Sequence, residues 1–430
     1  MKYARMGAAL AAIAVVASAC SSSSSASPAA SGGGGAAIDV EVGIELPMTG
    51  GEAPNGVPTA NGVALALDQI KVPGFNITIN QQDDALNGKH DPNTGAKNMQ
   101  TLANDSKVLF VVGPYNSNVA QAEIPVSNAA GLMQCSPANT NPGLTQTWGG
   151  VDPKTLRPTH PDKIAYVRTA TTDDLQGAAG ADIAYNIAKA TTAYVADDTQ
   201  TYGKGLADVM AQDFAKLGGK VVKRDGIPDS TTDFTSYVTS VKGLNPGFVY
   251  YGGVTTSGIG LFRAEMANQG LANIPLGGGD GISDGAFSVP SSFLQIAGAA
   301  GDPNTYSTTA GPHDVSSDAS PSSADLATAY KAKFNTEPGA YTAAAYACTQ
   351  VFLQALKSVG TGVTDLAALR EAVRAYVADP SHSYTSALGT FSFDAAGDTS
   401  QKIVSYYTFD PSTKDWKFLQ QRDFSKNPLQ

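Results

Sequence analysis

Gly281-Ile282-Ser283-Asp284-Gly285 has the Gly-x-Ser-x-Gly form that can expose a nucleophilic serine, with His313 and His382 downstream as candidate bases. The surroundings argue against that chemistry. A nucleophile elbow joins a firm strand to a helix, whereas here Gly277-Gly278-Gly279 precedes the serine and Pro290 interrupts the stretch after it. The histidines His90, His160, His313 and His382 stand beside Pro, Asp or Ser, and no pair has metal-ligand spacing. Hydrolysis through Ser283 is kept as the weakest alternative, and no metal or cofactor is implied.

Binding chemistry is better supported. Val111-Val112-Gly113-Pro114-Tyr115-Asn116-Ser117-Asn118 and Tyr250-Tyr251-Gly252-Gly253-Val254-Thr255-Thr256-Ser257 echo each other. Each is an apolar strand that ends in small residues, continues in hydroxyl- or amide-bearing ones and leads into a helix. At the carboxyl end of a parallel strand, free backbone N–H groups of the next helix point into the crevice where α/β sheets bind ligands. One such end in each half of the chain predicts a ligand held between two lobes. Asp280, set among glycines, is either a carboxylate aimed into that crevice or a turn residue capping a helix.

The elements that must position these residues alternate between short β-rich runs and helical patterns, which predicts a mostly parallel sheet with crossover helices. In the first half, strands are expected at Val40–Leu46, Ile77–Ile79, Val108–Val112 and around Leu132, with helices at 63–70, at 92–102 and from about Val119. A second series runs through a strand at Ala193–Ala196, a helix at 204–217, strands at 220–223 and 248–251, a helix at 259–268, and Pro275-Leu276. The folded part, from Ile38 onward, exceeds the usual size of a single core.

The N-terminus reads as an export signal. Lys2 and Arg5 precede a short apolar run, Met6–Ala17, and then Ala17-Ser18-Ala19-Cys20. Twelve residues at a rise of ~1.5 Å fall well short of a ~30 Å hydrocarbon core, so the run is not a membrane span. The segment resembles a bacterial lipoprotein signal, which implies cleavage after residue 19, lipidation of Cys20 and a membrane anchor through that lipid. Residues 20–37, rich in Ser and then Gly, cannot bury a core and are expected to form a flexible tether. The chain carries 28 basic and 38 acidic side chains, net −10. Loss of Lys2 and Arg5 with the leader makes the balance more acidic still. That excess argues against nucleic acid, whose binding rests on cationic contacts to phosphate. Disulfides persist outside the cytoplasm, so Cys135 and Cys348 are either bonded to each other or two separate buried thiols.

From Ile38 to about Asp415 the chain resembles the branched-chain amino-acid-binding proteins of ABC importers, with the type I periplasmic-binding-protein fold. The resemblance rests on Pro47-Met48-Thr49-Gly50, Gln82-Asp83-Asp84, Ser136-Pro137-Ala138-Asn139-Thr140, Arg168-Thr169 leading to Gln176-Gly177, Tyr202-Gly203-Lys204-Gly205 and Phe248-Val249-Tyr250-Tyr251-Gly252-Gly253, in that order and spacing. It implies an α/β architecture of two Rossmann-like lobes with parallel-rich sheets joined by a multi-strand hinge. By analogy lobe 1 is 38–170 and 300–393, lobe 2 is 171–299 and 394–430, and crossings fall near 168–172, 298–302 and 394–397.

The same resemblance implies a binding protein rather than an enzyme: a monomer that closes around a small solute and delivers it to an ABC permease. Ser117 and Thr140 would offer hydroxyls to a ligand carboxylate, with backbone groups near Tyr115, Ala138 and Ser117 completing the cradle. Asp280 would pair with the ammonium, Tyr202 would close over the ligand, and Tyr115 and Val254 would line the side-chain pocket. Asn55 and Asn116 depart from the family. Asn55 stands where leucine-type binders carry an aromatic residue, so a polar or amide-bearing ligand is open. A ligand-sensing receptor domain for an amide or short carboxylic acid is the alternative function.

Overall fold

The computed structural model describes residues 37–426. The leader, Cys20 and the tether up to residue 36 lie outside the described residues. Among those described, no helix is long and apolar enough to cross a membrane.

Two sheets organise the chain. The first is parallel, in the order β2-β1-β5-β6-β7, and comprises β1 (Ile38–Leu46), β2 (Phe75–Asp83), β5 (Val108–Val112), β6 (Met133–Ser136) and β7 (Tyr166–Arg168). Between β2 and β5 lies a small hairpin, β3 (Ala85–Leu86) with β4 (Lys89–His90). All five residues of β5, Val-Leu-Phe-Val-Val, are buried, as a strand covered on both faces requires. One face packs under α1 (Ala53–Gln69), α10 (Thr342–Val359) and α11 (Leu366–Val377), where Val42, Phe110, Val351, Phe352 and Val373 share a core. On the other face Met99 of α2 (Pro92–Asn104) meets Val108, Val111 and Leu132, with Val126 of α3 (Ser117–Ala130) packed against them. Local signals fix the helix ends. Asp91 accepts from Thr94 N–H at 2.7 Å ahead of Pro92 in the first turn of α2, and Gly131 ends α3 in the left-handed region.

The second sheet has seven strands, β16-β15-β12-β11-β10-β8-β9. These are β8 (Thr192–Asp197), β9 (Lys220–Gly226), β10 (Phe248–Gly252), β11 (Leu276–Gly277), β12 (Thr305–Thr309), β15 (Ile403–Asp410) and β16 (Asp415–Asp423), of which β15 and β16 are antiparallel additions. Helices α4 (Asp173–Asp182) and α5 (Thr201–Lys216) cover one face, and α6 (Thr235–Leu244), α7 (Ile259–Asn268) and α8 (Phe293–Gly301) the other. The hairpin β13 (Ser383–Ser386) with β14 (Gly389–Ser392) returns to the first core through Tyr384 and Phe391, and α9 (Ser323–Phe334) packs on α1 through Leu326 and Tyr330.

This is the α/β, parallel-rich architecture expected, with two boundaries moved. β12 pairs with β11 and β15, so the chain leaves the second sheet after Thr309 and not near residues 298–302. Thr-Tyr-Ser-Thr-Thr has no apolar run to mark it as a strand, and its buried Ser307 and Thr308 lie inside the sheet. The last crossing comes after Asp398, which still bridges Arg168 beside the first sheet, and the second sheet resumes at Ile403. Cys135 on β6 and Cys348 on α10 form a disulfide with a Cα–Cα distance of 5.7 Å, tying the first sheet to the helix that covers it.

Candidate functional site

The carboxyl ends of the two sheets face each other across a cleft. Its cavity is lined by Tyr115, Asn116, Ser117, Ala138 and Thr140 from the first half and by Tyr202, Val254, Asp280 and Gly281 from the second. His90, Asn118, Asp198 and Gln200 complete the wall.

On the first side, Asn116 precedes α3 with an extended backbone and no side-chain cap. The N–H groups that open a helix have no partner within it, so α3 presents donors and the positive end of its dipole beside Ser117. Asn141 N–H donates to Ser117 Oγ at 3.4 Å, and Asp173 N–H donates to the Thr140 carbonyl at 2.8 Å, which fixes the loop carrying Thr140. Ala138 is placed at the wall, but its N–H already donates to Ser136 Oγ at 3.2 Å. The Ala138 N–H is therefore not a free donor for a ligand carboxylate.

Asp280 is buried on the opposite side. Tyr202 Oη donates to its Oδ1 at 2.8 Å and Tyr341 Oη donates to its Oδ2 at 2.7 Å. Both phenols are oriented from behind, since Tyr202 Oη accepts from Gly281 N–H at 3.2 Å and Tyr341 Oη from Ala310 N–H at 3.4 Å. Burial pushes the Asp280 carboxyl above its usual range, while the bonds from Tyr341 and Tyr202 pull it back. Gly279 makes the approach possible, because a Cβ there would stand 2.3 Å from Tyr202 Oη. Tyr341 lies on the first side, so its bond to Asp280 spans the cleft.

More bonds span it at the rim. Asn141 Nδ2 donates to Thr201 O at 2.8 Å, Asn118 Nδ2 to Gln200 Oε1 at 3.2 Å and Thr256 Oγ1 to Glu52 Oε1 at 2.8 Å. Glu52 also meets His90 Nδ1 at 2.5 Å. Burial works against the charge on both, yet each holds the other charged: His90 is raised and Glu52 lowered from the usual value. Asp198 is pushed up to about 6 by burial, against bonds from Ser257 Oγ and Gln200 N–H.

The site expected from the sequence is thus brought together except for Asn55. Asn55 lies in the first turn of α1, buried, with its carbonyl accepting from Thr59 Oγ1 at 2.7 Å, and it is not among the cavity residues. Tyr341, His90 and the Glu52 pair were not foreseen. Tyr341 comes after Pro338-Gly339-Ala340 at the start of α10, and nothing local ties it to Asp280.

The serine of the Gly-x-Ser-x-Gly stretch has a structural role. Ser283 Oγ is hydrogen-bonded to Ser307 Oγ on β12 and is buried. His313 stacks on Phe418 and His382 on Tyr376. Neighbouring Asp284 accepts from Phe293 N–H at 2.8 Å, and burial pushes its carboxyl up to about 7 from 3.8. A native state that keeps this proton to about pH 7, when the unfolded chain releases it near 3.8, loses stability as pH rises between the two. At ~1.4 kcal/mol per unit the loss is about 4 kcal/mol. Asp284→Asn, which keeps the acceptor for Phe293 N–H, is expected to stabilise the protein by roughly 2–4 kcal/mol at pH 8 and very little at pH 4, read by urea unfolding. Equal effects at both pH values would contradict the assignment.

Comparison with known proteins agrees with this geometry. A family model described as periplasmic binding protein matches residues 39–410. Leu/Ile/Val-binding protein homolog 1 of Brucella abortus is 30% identical over 379 residues, covering 86% of this chain and 90% of the relative. Among solved structures, the leucine binding protein LivK of Thermotoga maritima superposes with a TM-score of 0.73 at 24% identity, covering 90% of this chain and 99% of that one. LivJ of Streptococcus pneumoniae, in complex with isoleucine, gives 0.72 at 23% over 90% and 99%. A solute binding protein of R. palustris in complex with benzoate gives 0.70 at 21% over 90% and 96%. With two parallel-rich sheets, a cleft at their carboxyl ends and these relatives, the chain belongs to the periplasmic-binding-protein family, among the extracytoplasmic branched-chain amino-acid-binding proteins.

Proposed function

We propose that the protein captures an amino acid between its two lobes and delivers it to an ABC permease. The observation that carries this reading is Asp280, a buried carboxylate facing the cleft opposite the N-terminus of α3. A zwitterion fits both sides at once. Its carboxylate meets the α3 donors with Ser117 and Thr140, and its ammonium meets Asp280, which keeps lone pairs free beyond its two phenol bonds. A plain aromatic acid, of the kind held by the R. palustris relative, would leave Asp280 desolvated without a cation.

Closure is implied by the same contacts. The bonds Tyr341–Asp280, Asn141–Thr201 and Thr256–Glu52 belong to a closed arrangement, and opening about the crossings would break them to admit solute, the hinge motion known for this class of protein. Docking on the permease then reads the closed shape. Calorimetry of the purified protein against amino acids, amides and aromatic acids tests the reading, and saturable binding of a free amino acid is the expected result.

The protein works as a monomer held at the membrane by lipid on Cys20, with 20–37 as its tether. Cys20→Ala is expected to release it from the membrane fraction or stall its processing. Unchanged retention with an unchanged N-terminus would refute the anchor.

A further inference from the structure

Much of the remaining cavity wall is polar. Besides Val254 and the ring of Tyr115, it includes Asn116, Asn118, His90, Asp198 and Gln200. Most of these are already engaged. Asn118 and Gln200 bond each other across the cleft, His90 pairs with Glu52, and Asp198 holds Ser257 and the Gln200 N–H. Two atoms are not. Asn116 Oδ1 and Tyr115 Oη are buried and have no hydrogen-bond partner in the protein.

Burying a polar group without a partner is costly, so an aliphatic side chain closed over Asn116 and Tyr115 would seal in an uncompensated penalty. The Tyr115 phenol is kept protonated, first by burial and then by the negative charge of Asp280, so it retains an O–H to donate. Asn116 presents an amide, whose oxygen needs a donor. A ligand side chain that carries both a donor and an acceptor can serve these two residues, whichever way the Asn116 amide is turned. A ligand carboxylate in the side-chain position would instead meet the acidic group of Asp198 in the cavity wall.

We infer that the cleft selects an amino acid whose side chain ends in an uncharged donor-and-acceptor group, a primary carboxamide above all, through Asn116 and Tyr115. This rests on the amino-acid reading of Asp280 and narrows it. The difference from an aliphatic specificity is large in principle, because a site built to hydrogen-bond a polar group rejects the analogue lacking it far more strongly than an apolar pocket rejects a missing methylene.

Calorimetry of the purified protein with glutamine, asparagine, glutamate, lysine, leucine and valine tests the inference. The expected result is that glutamine or asparagine binds at least tenfold tighter than leucine, valine, glutamate and lysine. Tyr115→Phe should weaken the carboxamide ligand about five- to tenfold relative to leucine. Asn116→Leu, checked by circular dichroism for folding, should narrow or reverse the preference. Leucine or valine binding tighter than glutamine to the parent would overturn the inference, as would a preference for glutamate or lysine, or Tyr115→Phe weakening glutamine and leucine alike. Binding of benzoate with no free amino acid bound would instead sink the amino-acid reading beneath it, and the side-chain assignment with it.

Discussion

Asp280→Asn is expected to weaken amino-acid binding at least twentyfold. The substitution keeps the size of the side chain and an acceptor for one of the two phenols, but it removes the charge that faces the ammonium. Leaving a buried cation short of its partner costs about 2–5 kcal/mol, and ~1.4 kcal/mol is tenfold. The amide also brings an N–H₂ toward a phenol that already donates, Tyr202 or Tyr341, which adds to the loss. pH gives a second view of the same bond. Burial raises the free carboxyl of Asp280, while an ammonium beside it favours the charged form, so the complex has the lower pKa. Affinity should therefore be flat above the raised value and fall as pH drops through it, with proton release on binding in that window. Isothermal titration at several pH values measures both. An Asp280→Asn variant that binds as tightly as the parent would reduce Asp280 to a turn residue.

Arg168→Met is expected to be the most destabilising single change at the hinge. Arg168 and Asp398 are fully buried, with Nε donating to Oδ1 at 2.7 Å. Burial alone would raise the Asp398 carboxyl, but the Arg168 guanidinium, helped by Gln146 and Thr145, holds it below 3.8. Removing the guanidinium strands a buried carboxylate and costs about 3–5 kcal/mol. The same side chain donates to the Asn141 carbonyl at 2.7 Å, next to Thr140, so the loop at the cleft loosens as well and affinity falls with stability. Because the native carboxyl lies below its unfolded value, the stabilisation is present above about pH 4 and is lost as pH falls through the native value. Urea unfolding at pH 7 and pH 3 should show a larger difference between parent and variant at the first than at the second. Arg168→Met with Asp398→Leu should recover part of the loss, since a buried pair replaced by apolar groups is often tolerated. A variant as stable as the parent at pH 7 would contradict the assignment.

The parts of this structure that were legible in the sequence are those with a local cause. Val108–Val112 and Ile259–Asn268 have the bounds that an unbroken apolar run and a helical spacing give them. The paired strand ends do meet across one cleft, because parallel strands deliver the next residues to the same edge of each sheet. Elements whose reason is distant were hidden. β12 is a strand because β11 and β15 flank it, and Thr305–Thr309 shows none of the apolar pattern that marks a central strand. Tyr341 reaches Asp280 from 61 residues away, and Thr256 reaches Glu52 across 204. No spacing rule registers such pairs. Asn55 differs in the other direction: its place in the chain suggested the pocket, but it is buried in the first turn of α1 and is not among the residues lining the cavity. Asn116 and Asp280 stood out as polar residues at strand ends, and the meaning of each comes from its partners, or for Asn116 Oδ1 from having none within the protein.

The most direct test of amino-acid capture through Asp280 is the affinity of the parent protein for one amino acid against its deaminated analogue, measured side by side in one calorimeter at pH 7.5. The two ligands share the carboxylate and the side chain and differ only in the group that Asp280 should hold. The amino acid is expected to bind at least twentyfold tighter. Equal affinities, or tighter binding of the deaminated acid, would contradict that role for Asp280.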